Sequence, residues 1–279
     1  MPELPEAEIV AQQLRARMTG ATLTAYWIGR RDIIREGADM LPWYQGAMLH
    51  RVQRYGKTVA LELRKGEDSR YLVAELGMTG LLLFGSVVVK QPQHVHVRLS
   101  FVGGREPELQ YWNPRRFGRL SLLDQKGLEA YCARRFGCDP LAVSREEFLR
   151  ILRDRRGRLK PLLMHQQVIA GIGNIYANEI LFRVGLHPNK EVSRVGNGSR
   201  AKLYDTMQRV LGEAIAHGGS SVRDFFAPDG SEGQYKSYHL VYGREGDPCP
   251  NGCGRLIQRI HNERSSFLCP ACQSKKVSR

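Results

Sequence analysis

The 279-residue chain lacks any apolar run of about 18 residues, so no segment reads as a membrane span. Its first residues carry neither the basic n-region nor the apolar core of a secretory leader, and a cytoplasmic protein is the expectation. Internal repeats and low-complexity tracts are missing too. Acidic residues are in short supply: 28 Asp and Glu stand against 42 Lys and Arg, for a formal charge of +14. An excess of this sign favours a polyanionic partner, because cations that neutralise phosphates release counterions, and nucleic acid leads that class. Cysteine is sparse until late. Cys132 and Cys138 lie mid-chain, and the other four crowd the end at 249, 253, 269 and 272. In a reducing compartment clustered cysteines are metal ligands before they are disulfides.

What is present divides into three stretches. Residues 4–18 read as a helix with Ile9, Val10 and Leu14 on one stripe, closed by Gly20. Alternating segments follow. "KTVALEL" puts Val59, Leu61 and Leu63 on one face, and "HVHVRLSF" does the same with Val95, Val97, Leu99 and Phe101. "RYLVAEL" and "TGLLLFG" are more uniformly apolar, as central strands can be, and short turn-rich spacings point to a β-sandwich or barrel. Beyond Asp124 the period changes. "SREEFLRILRDR" pairs a capping serine with a stripe of Phe148, Leu149 and Leu152. "SRAKLYDTMQRVLGEAIAHGG" turns Leu203, Met207, Val210 and Ile215 inward before Gly218-Gly219. The fold expected is α+β and multidomain: an N-terminal β-sandwich with an N-terminal helix over 1–124, a helical domain over 125–237 ending in a loop at 218–237, and a C-terminal zinc-finger hairpin over 238–279.

Four groups of residues carry chemistry. Cys249 and Cys253 bracket three residues, Cys269 and Cys272 bracket two, and fifteen residues separate the pairs. Two such knuckles on a hairpin put four thiolates around one Zn2+, and four sulfurs close the shell, so the ion is structural. Arg255, Arg259 and Arg264 decorate the intervening hairpin, as a nucleic-acid probe or as a solvated basic face. "GIGNIYANEILF" places two glycines before Asn174 and a helix; the free N–H groups of such a turn bind phosphate, although a glycine pair packing two helices would look the same. "ELGMTG" and "NPRRFG" set Met78, Arg115 and Phe117 in turn-rich contexts. They suit wedges that fill a duplex where a base has been flipped out, and they equally suit ordinary sandwich core. Last, Met1 precedes Pro2, a context in which the initiator is removed. A freed proline amine titrates near pH 8 and can attack a sugar C1′ to give an iminium, with Glu3 and Glu6 in reach to move protons. The plain alternative is a proline that starts a helix.

Taken together, "MPELPEAE", "RYGKTVALEL", "LGMTG", "NPRRFG", "GIGNIYANEILF" and "VYGREGDPC" make the chain resemble, nearly end to end, the formamidopyrimidine-DNA glycosylase/endonuclease VIII family of bifunctional DNA glycosylases. The resemblance implies an N-terminal catalytic domain, a helix-two-turn-helix domain and a zinc finger. It implies Pro2 as nucleophile, Glu3 as general acid/base and Glu6 as support, with Lys57 and Arg264 completing the catalytic set. Lys57, Asn174 and Arg264 would hold phosphates beside the lesion, His94 would join the DNA contacts, and Met78, Arg115 and Phe117 would fill the gap, with Arg115 facing the orphaned base. The implied activity is excision of oxidised purines (8-oxoguanine, formamidopyrimidines) from duplex DNA, followed by β,δ strand cleavage, by a monomer at the nucleoid with no membrane partner. The complete Met78–Arg115–Phe117 set favours this branch over the oxidised-pyrimidine branch, and Pro2, Glu3 and Lys57 together argue against a non-catalytic binder of damaged DNA.

Four positions depart from the family pattern: Glu75 in place of histidine, Asn113 and His165 in place of aspartates, and Gln234 in place of a tyrosine in the loop that covers the base. A carboxylate at 75 near a DNA backbone would repel it unless paired. These changes bear on lesion preference more than on the chemistry.

Overall fold

The computed structural model describes residues 2–221, 225–261 and 264–273. In chain order its elements are α1 (Leu4–Met18), β1 (Thr22–Ile28), β2 (Ile34–Glu36), the single turn α2 (Leu41–Tyr44), β3 (Met48–Tyr55), β4 (Thr58–Lys65), β5 (Asp68–Glu75), β6 (Leu81–Phe84), β7 (Val95–Val102), β8 (Glu108–Trp112), β9 (Arg119–Leu123), α3 (Gln125–Arg135), α4 (Arg145–Arg153), α5 (Leu159–Met164), α6 (Asn174–Val184), α7 (Asn197–Ala216), β10 (Gln258–Ile260) and β11 (Ser266–Leu268). They form two compact units: Met1–Arg135 with Ile215–Lys236, and Phe136–Ala214 with Ser237–Arg279. No helix among the described residues is long and apolar enough to cross a membrane.

In the first unit nine strands share one sheet in the order β2-β9-β5-β4-β3-β1-β7-β8-β6. Pairing is antiparallel throughout except for the parallel β2–β9 edge. Residues from both halves of the sheet enter one core: Leu61, Leu72 and Leu120 from one, Leu82, Val97 and Leu109 from the other, with Val10 and Leu14 of α1 between them. A sheet that closes around a single core in this way is the sandwich the alternating segments called for. On β4 Val59, Leu61 and Leu63 are buried, and so are Ala60 and Glu62 on the opposite face, so both faces of this strand are covered. The uniformly apolar β6 is a different case. It lies at the sheet edge, yet all four of its residues are buried, because the returning segment covers it: the Phe84 N–H donates to Pro228 O at 2.8 Å. Continuous hydrophobicity reports cover on both faces, and here a loop supplies what a neighbouring strand usually does.

In the second unit the Ser144 hydroxyl caps α4 by accepting the Glu147 N–H at 3.2 Å, and Phe148 and Leu152 turn inward. Leu203, Met207 and Val210 of α7 are buried as their spacing predicts, Leu211 and Ala214 extend the stripe, and Ile215 is half-buried. β10 and β11 form a short antiparallel hairpin pairing Gln258–Ile260 with Ser266–Leu268.

Candidate active site

The amino terminus belongs to the core of the first unit. Pro2 is buried, and Glu3 and Glu6 are each only 1% exposed. Proline costs nothing in the first turn of α1, where Pro5 has no N–H to lose. The Glu6 carboxylate does two jobs. Its Oε2 accepts the Glu3 N–H at 2.7 Å, the return half of a capping box, and its Oε1 accepts the Ser220 N–H at 2.7 Å. Glu6 therefore joins the first turn of α1 to the segment that begins at Gly218. Gly219 sits at φ +79°, and a Cβ there would lie 2.8 Å from Glu6 Oε1, so only glycine lets this backbone lie so close against the Glu6 side chain. Met1 lies outside the described residues.

The segment 218–237 is anchored at both ends. Ser220 and Gln234 bridge as antiparallel partners, the Gln234 N–H donates to His217 O at 2.8 Å, and the Tyr235 N–H donates to Gly219 O at 3.0 Å. Phe225 is buried in the sandwich core and Phe226 packs on its margin. Gln234 itself is exposed.

Lys57 occupies the two-residue turn, with Gly56, that joins β3 to β4, where Tyr55 faces Thr58. Arg54 stiffens that hairpin. Its Nε meets Glu8 Oε2 at 2.9 Å on α1, and its Nη1 donates to Gly56 O at 3.1 Å. Met78 and Phe117, which fit the core as readily as a wedge in sequence terms, are 40% and 56% exposed. Backbone packing keeps them outside. Gly77 has φ +62°, and a Cβ on it would fall 2.5 Å from Gly118 N and 2.7 Å from Phe117 C, so the two turns meet main chain to main chain with no room for side chains between them. The Arg115 guanidinium stacks on the Phe117 ring at 4.9 Å. Beneath both lies Asn113, fully buried. Its Nδ2 donates to Gly118 O at 3.0 Å and to Tyr111 Oη at 3.2 Å, its Oδ1 accepts the Arg116 N–H at 3.0 Å, and its carbonyl meets His96 Nε2 at 3.0 Å. His94 is half-buried at the start of β7. Its ring lies 6.5 Å from Trp112, edge to face, and its carbonyl accepts the Asn113 N–H at 2.9 Å. Glu75 is not a bare negative charge: Tyr131 Oη donates to its Oε1 at 2.8 Å and Arg135 Nη1 lies 3.1 Å from the same oxygen.

In the second unit Asn174 opens α6, with Gly173 extended at the N-cap. The preceding turn is held by Gln166, whose Nε2 donates to Met164 O at 2.7 Å and Ile172 O at 2.9 Å and whose Oε1 accepts the Gly171 N–H at 2.8 Å. His165 contributes backbone: its carbonyl accepts the Val168 N–H at 2.8 Å and the Ile169 N–H at 3.0 Å. Arg264 is exposed, and the stretch beside it is fixed from below by the buried Lys160, whose Nζ donates to Ser265 O and Ser266 Oγ, both at 2.8 Å. Asn178 of α6 adds a bond from the Phe267 N–H to its Oδ1 at 2.9 Å.

The four terminal cysteines converge, their sulfurs all within 4.8 Å of one another. Cys249 Sγ lies 3.8 Å from Cys272 Sγ, and Cys253 Sγ 3.4 Å from Cys269 Sγ. A tetrahedron with Zn–S bonds of about 2.3 Å has edges of about 3.8 Å, so the donor set fits one such ion. The Gln273 side chain supports it, accepting the Cys269 N–H at 3.0 Å and donating to Leu186 O at 2.8 Å. Cys132 and Cys138 stand apart from this cluster, both with thiols pushed up by burial, Cys138 to about 11.

Sequence reasoning passed over Lys160, Asn178 and Glu179. Glu179 is 0% exposed and accepts the N–H groups of Leu240 at 2.9 Å, Val241 at 3.0 Å and Tyr242 at 2.8 Å, besides an ion pair with Arg183. The one signal was a Glu beside an Asn inside an otherwise apolar helix, "ANEILF". A charge so placed must find buried donors.

Residues 1–120 match the family model described as the formamidopyrimidine-DNA glycosylase N-terminal domain, and residues 136–226 match the formamidopyrimidine-DNA glycosylase H2TH domain. A formamidopyrimidine-DNA glycosylase of Solibacter usitatus is 37% identical over 99% of this chain and 100% of its own length. Among solved structures, the MutM (Fpg) protein of Thermus thermophilus superposes with TM-score 0.85 at 35% identity, covering 99% of this chain and 100% of its own. The Lactococcus lactis Fpg in complex with abasic-site DNA gives TM-score 0.86 at 30% identity, with 98% and 100% coverage.

Proposed function

The chain belongs to the formamidopyrimidine-DNA glycosylase family, and from that premise we propose that it excises oxidised purines from duplex DNA and cleaves the strand through an iminium on Pro2. The observation that carries this reading is the built amino terminus: Pro2 buried, Glu3 and Glu6 beside it, and the Glu6 carboxylate spent on two backbone N–H groups so that it holds the site's shape. With Met1 removed, Pro2 is a secondary amine. Its lone pair attacks C1′ of the damaged nucleotide as the C1′–N bond to the base breaks, and the base leaves with a proton. Glu3 protonates O4′, the ring opens, and the C1′–N bond becomes an iminium. The iminium acidifies C2′–H, so loss of that proton expels the 3′ phosphate and a second elimination expels the 5′ phosphate. One amine thereby supports both glycosylase and lyase steps.

The remaining residues bind and orient. Lys57, Asn174 and Arg264 supply cations and an amide donor for phosphates flanking the lesion. Met78, Arg115 and Phe117, exposed on turns locked together by Gly77 and Gly118, replace the expelled base, with Arg115 toward the orphaned cytosine. His94 contributes through the Asn113 turn it supports. Segment 218–237 covers the extruded base, and the four cysteines hold one Zn2+ that stiffens the Arg264 hairpin. The retained Met78–Arg115–Phe117 set supports a purine-lesion preference over oxidised pyrimidines.

The test is reductive trapping. With borohydride present, duplex carrying 8-oxoguanine opposite cytosine yields a covalent protein–DNA adduct, and Pro2→Gly keeps binding while losing the adduct. If the protein, with Met1 removal verified by mass, forms no adduct with this duplex or with abasic DNA, the iminium mechanism is wrong.

A further inference from the structure

We propose that Glu75 is a positioning residue for lesion recognition: through Tyr131 and Arg135 it fixes the turn from which Met78 projects. The inference rests on the glycosylase reading above. Glu75 is the last residue of β5, paired with Thr58 on one side and Arg119 on the other. Thr58 directly follows Lys57, and Arg119 directly follows the turn of Arg115 and Phe117. Three segments given DNA-contacting roles therefore meet at one residue.

Both ends of Glu75 are tied. Its carbonyl accepts Tyr111 Oη at 2.7 Å, and Tyr111 in turn accepts from Asn113 beneath the second turn. Its carboxylate accepts Tyr131 Oη at 2.8 Å and pairs with Arg135 at 3.1 Å, while the Arg135 guanidinium lies 4.5 Å from the Tyr131 ring. These two bonds tie α3 to the end of β5. Tyr131 and Arg135 are four apart and share a face of α3, a geometry that presents both to one carboxylate. The Met78 turn is held in part by the main-chain contact of Gly77 with the Phe117–Gly118 turn. Its own closing bond is Gly80 N–H to Leu76 O at 2.8 Å, and among the described residues the buried Thr79 Oγ1 has no hydrogen-bond partner. The glycine contact fixes how closely the two turns approach, and Glu75 anchors the strand end from which the Met78 turn departs. The pairing also answers the electrostatic objection to a carboxylate here, because Arg135 neutralises it and leaves a partly exposed guanidinium at the surface.

The experiment compares two duplexes, one with 8-oxoguanine opposite cytosine and one with a preformed abasic site, using the full-length zinc-loaded protein. An intact base must be expelled and its gap filled, whereas an abasic nucleotide has no base to expel. Tyr131→Phe and Glu75→Ala lower kcat/KM on the lesion duplex about tenfold, the scale of a modest misplacement of a positioning group, and change abasic-site cleavage by less than roughly twofold. Glu75→Gln keeps an acceptor for Tyr131 and recovers lesion activity to within roughly threefold of wild type. Should Glu75→Ala fail to fold, Tyr131→Phe, which removes a single oxygen, decides alone. Equal losses on both duplexes, or none on either, in a Tyr131→Phe protein that melts like wild type overturn the proposal. A wild-type protein inert on both duplexes overturns the glycosylase reading instead, and this inference falls with it.

Discussion

Replacing Glu179 by alanine tests whether the four-cysteine module is held to its helical neighbour by one buried carboxylate. Glu179 is 0% exposed on α6, its Oε1 accepts the Val241 and Tyr242 N–H groups, and its Oε2 accepts that of Leu240 and pairs with Arg183. Val241 is fully buried within a small core with Phe182, Ile257, Phe267 and Cys269, so water cannot replace the lost acceptor there. A buried donor left unsatisfied costs about 1–3 kcal/mol. Leu240 and Tyr242 are only half-buried, and water reaching them keeps the three terms from adding in full. Breaking a buried, hydrogen-bonded charge site by removing one side costs about 3–5 kcal/mol, and this range is the expectation for Glu179→Ala. For a domain of this size that is a fall in Tm of roughly 6–20 °C. Glu179→Gln should lie between, since its one carbonyl can serve either the Val241–Tyr242 pair or the Leu240 N–H while its NH2 faces donors. The assay is calorimetric unfolding of the zinc-loaded protein, with zinc release followed by a colorimetric chelator on the same samples. A Glu179→Ala protein within about 0.5 kcal/mol of wild type would place the stability of the module elsewhere and refute the reasoning.

Asn113→Ala removes the side chain that holds the Arg116 N–H, Gly118 O and Tyr111 Oη; lesion excision should drop at least tenfold while the far-UV spectrum is unchanged, and unimpaired excision would show that the turn is set by its glycines alone. Burial holds the His96 imidazole below its ordinary 6.5, so the unfolded chain takes up that proton first. The contribution of His96 to stability is therefore complete above about pH 6.5 and is lost as pH falls through the lowered value. The urea midpoint of wild type should decline more between pH 7.5 and 5.5 than that of His96→Gln, and parallel declines would contradict this. Cys269→Ser should abolish stoichiometric metal, measured as one Zn2+ per chain in wild type by mass spectrometry, and weaken DNA binding; a metal content other than zinc would correct the identity of the ion.

The sequence made periodic and clustered features legible and left the long-range polar ones hidden. The α1 stripe, the Ser144 cap and the α7 stripe are local, and the cysteine spacing alone implied a convergent cluster. Met78 and Phe117 were ambiguous because a large apolar residue beside strands is usually core. What expels them is the contact between Gly77 and Gly118, two residues forty-one positions apart whose closeness no local pattern encodes. β6 reads as central because its apolar run is unbroken, but its outer cover is a loop more than a hundred residues downstream. Glu75 looked like a liability at a phosphate-binding surface, since sequence shows its charge and not the arginine at the far end of α3 that meets it. Lys160 and Glu179 were hard to read for the same reason: many of their partners are backbone groups far along the chain, and backbone groups leave no letter in the sequence.

The charge imbalance that first suggested a polyanionic partner has a structural counterpart in where each sign is placed. Glu3, Glu6 and Glu179 are buried, and Glu6 and Glu179 accept backbone N–H groups that would otherwise be orphaned. Glu8 and Glu75 are paired with arginines at the bases of the Lys57 and Met78 turns. These five carboxylates act inside the protein, holding segments on which the site is built. Arginine is treated the other way. Arg115, Arg116 and Arg264 are exposed, as are Arg150, Arg153, Arg155, Arg156 and Arg158 in one stretch with a single intervening aspartate. The exposed guanidinium groups of that stretch concentrate positive charge locally on a chain whose net charge is already +14, and that is the field a phosphate backbone responds to.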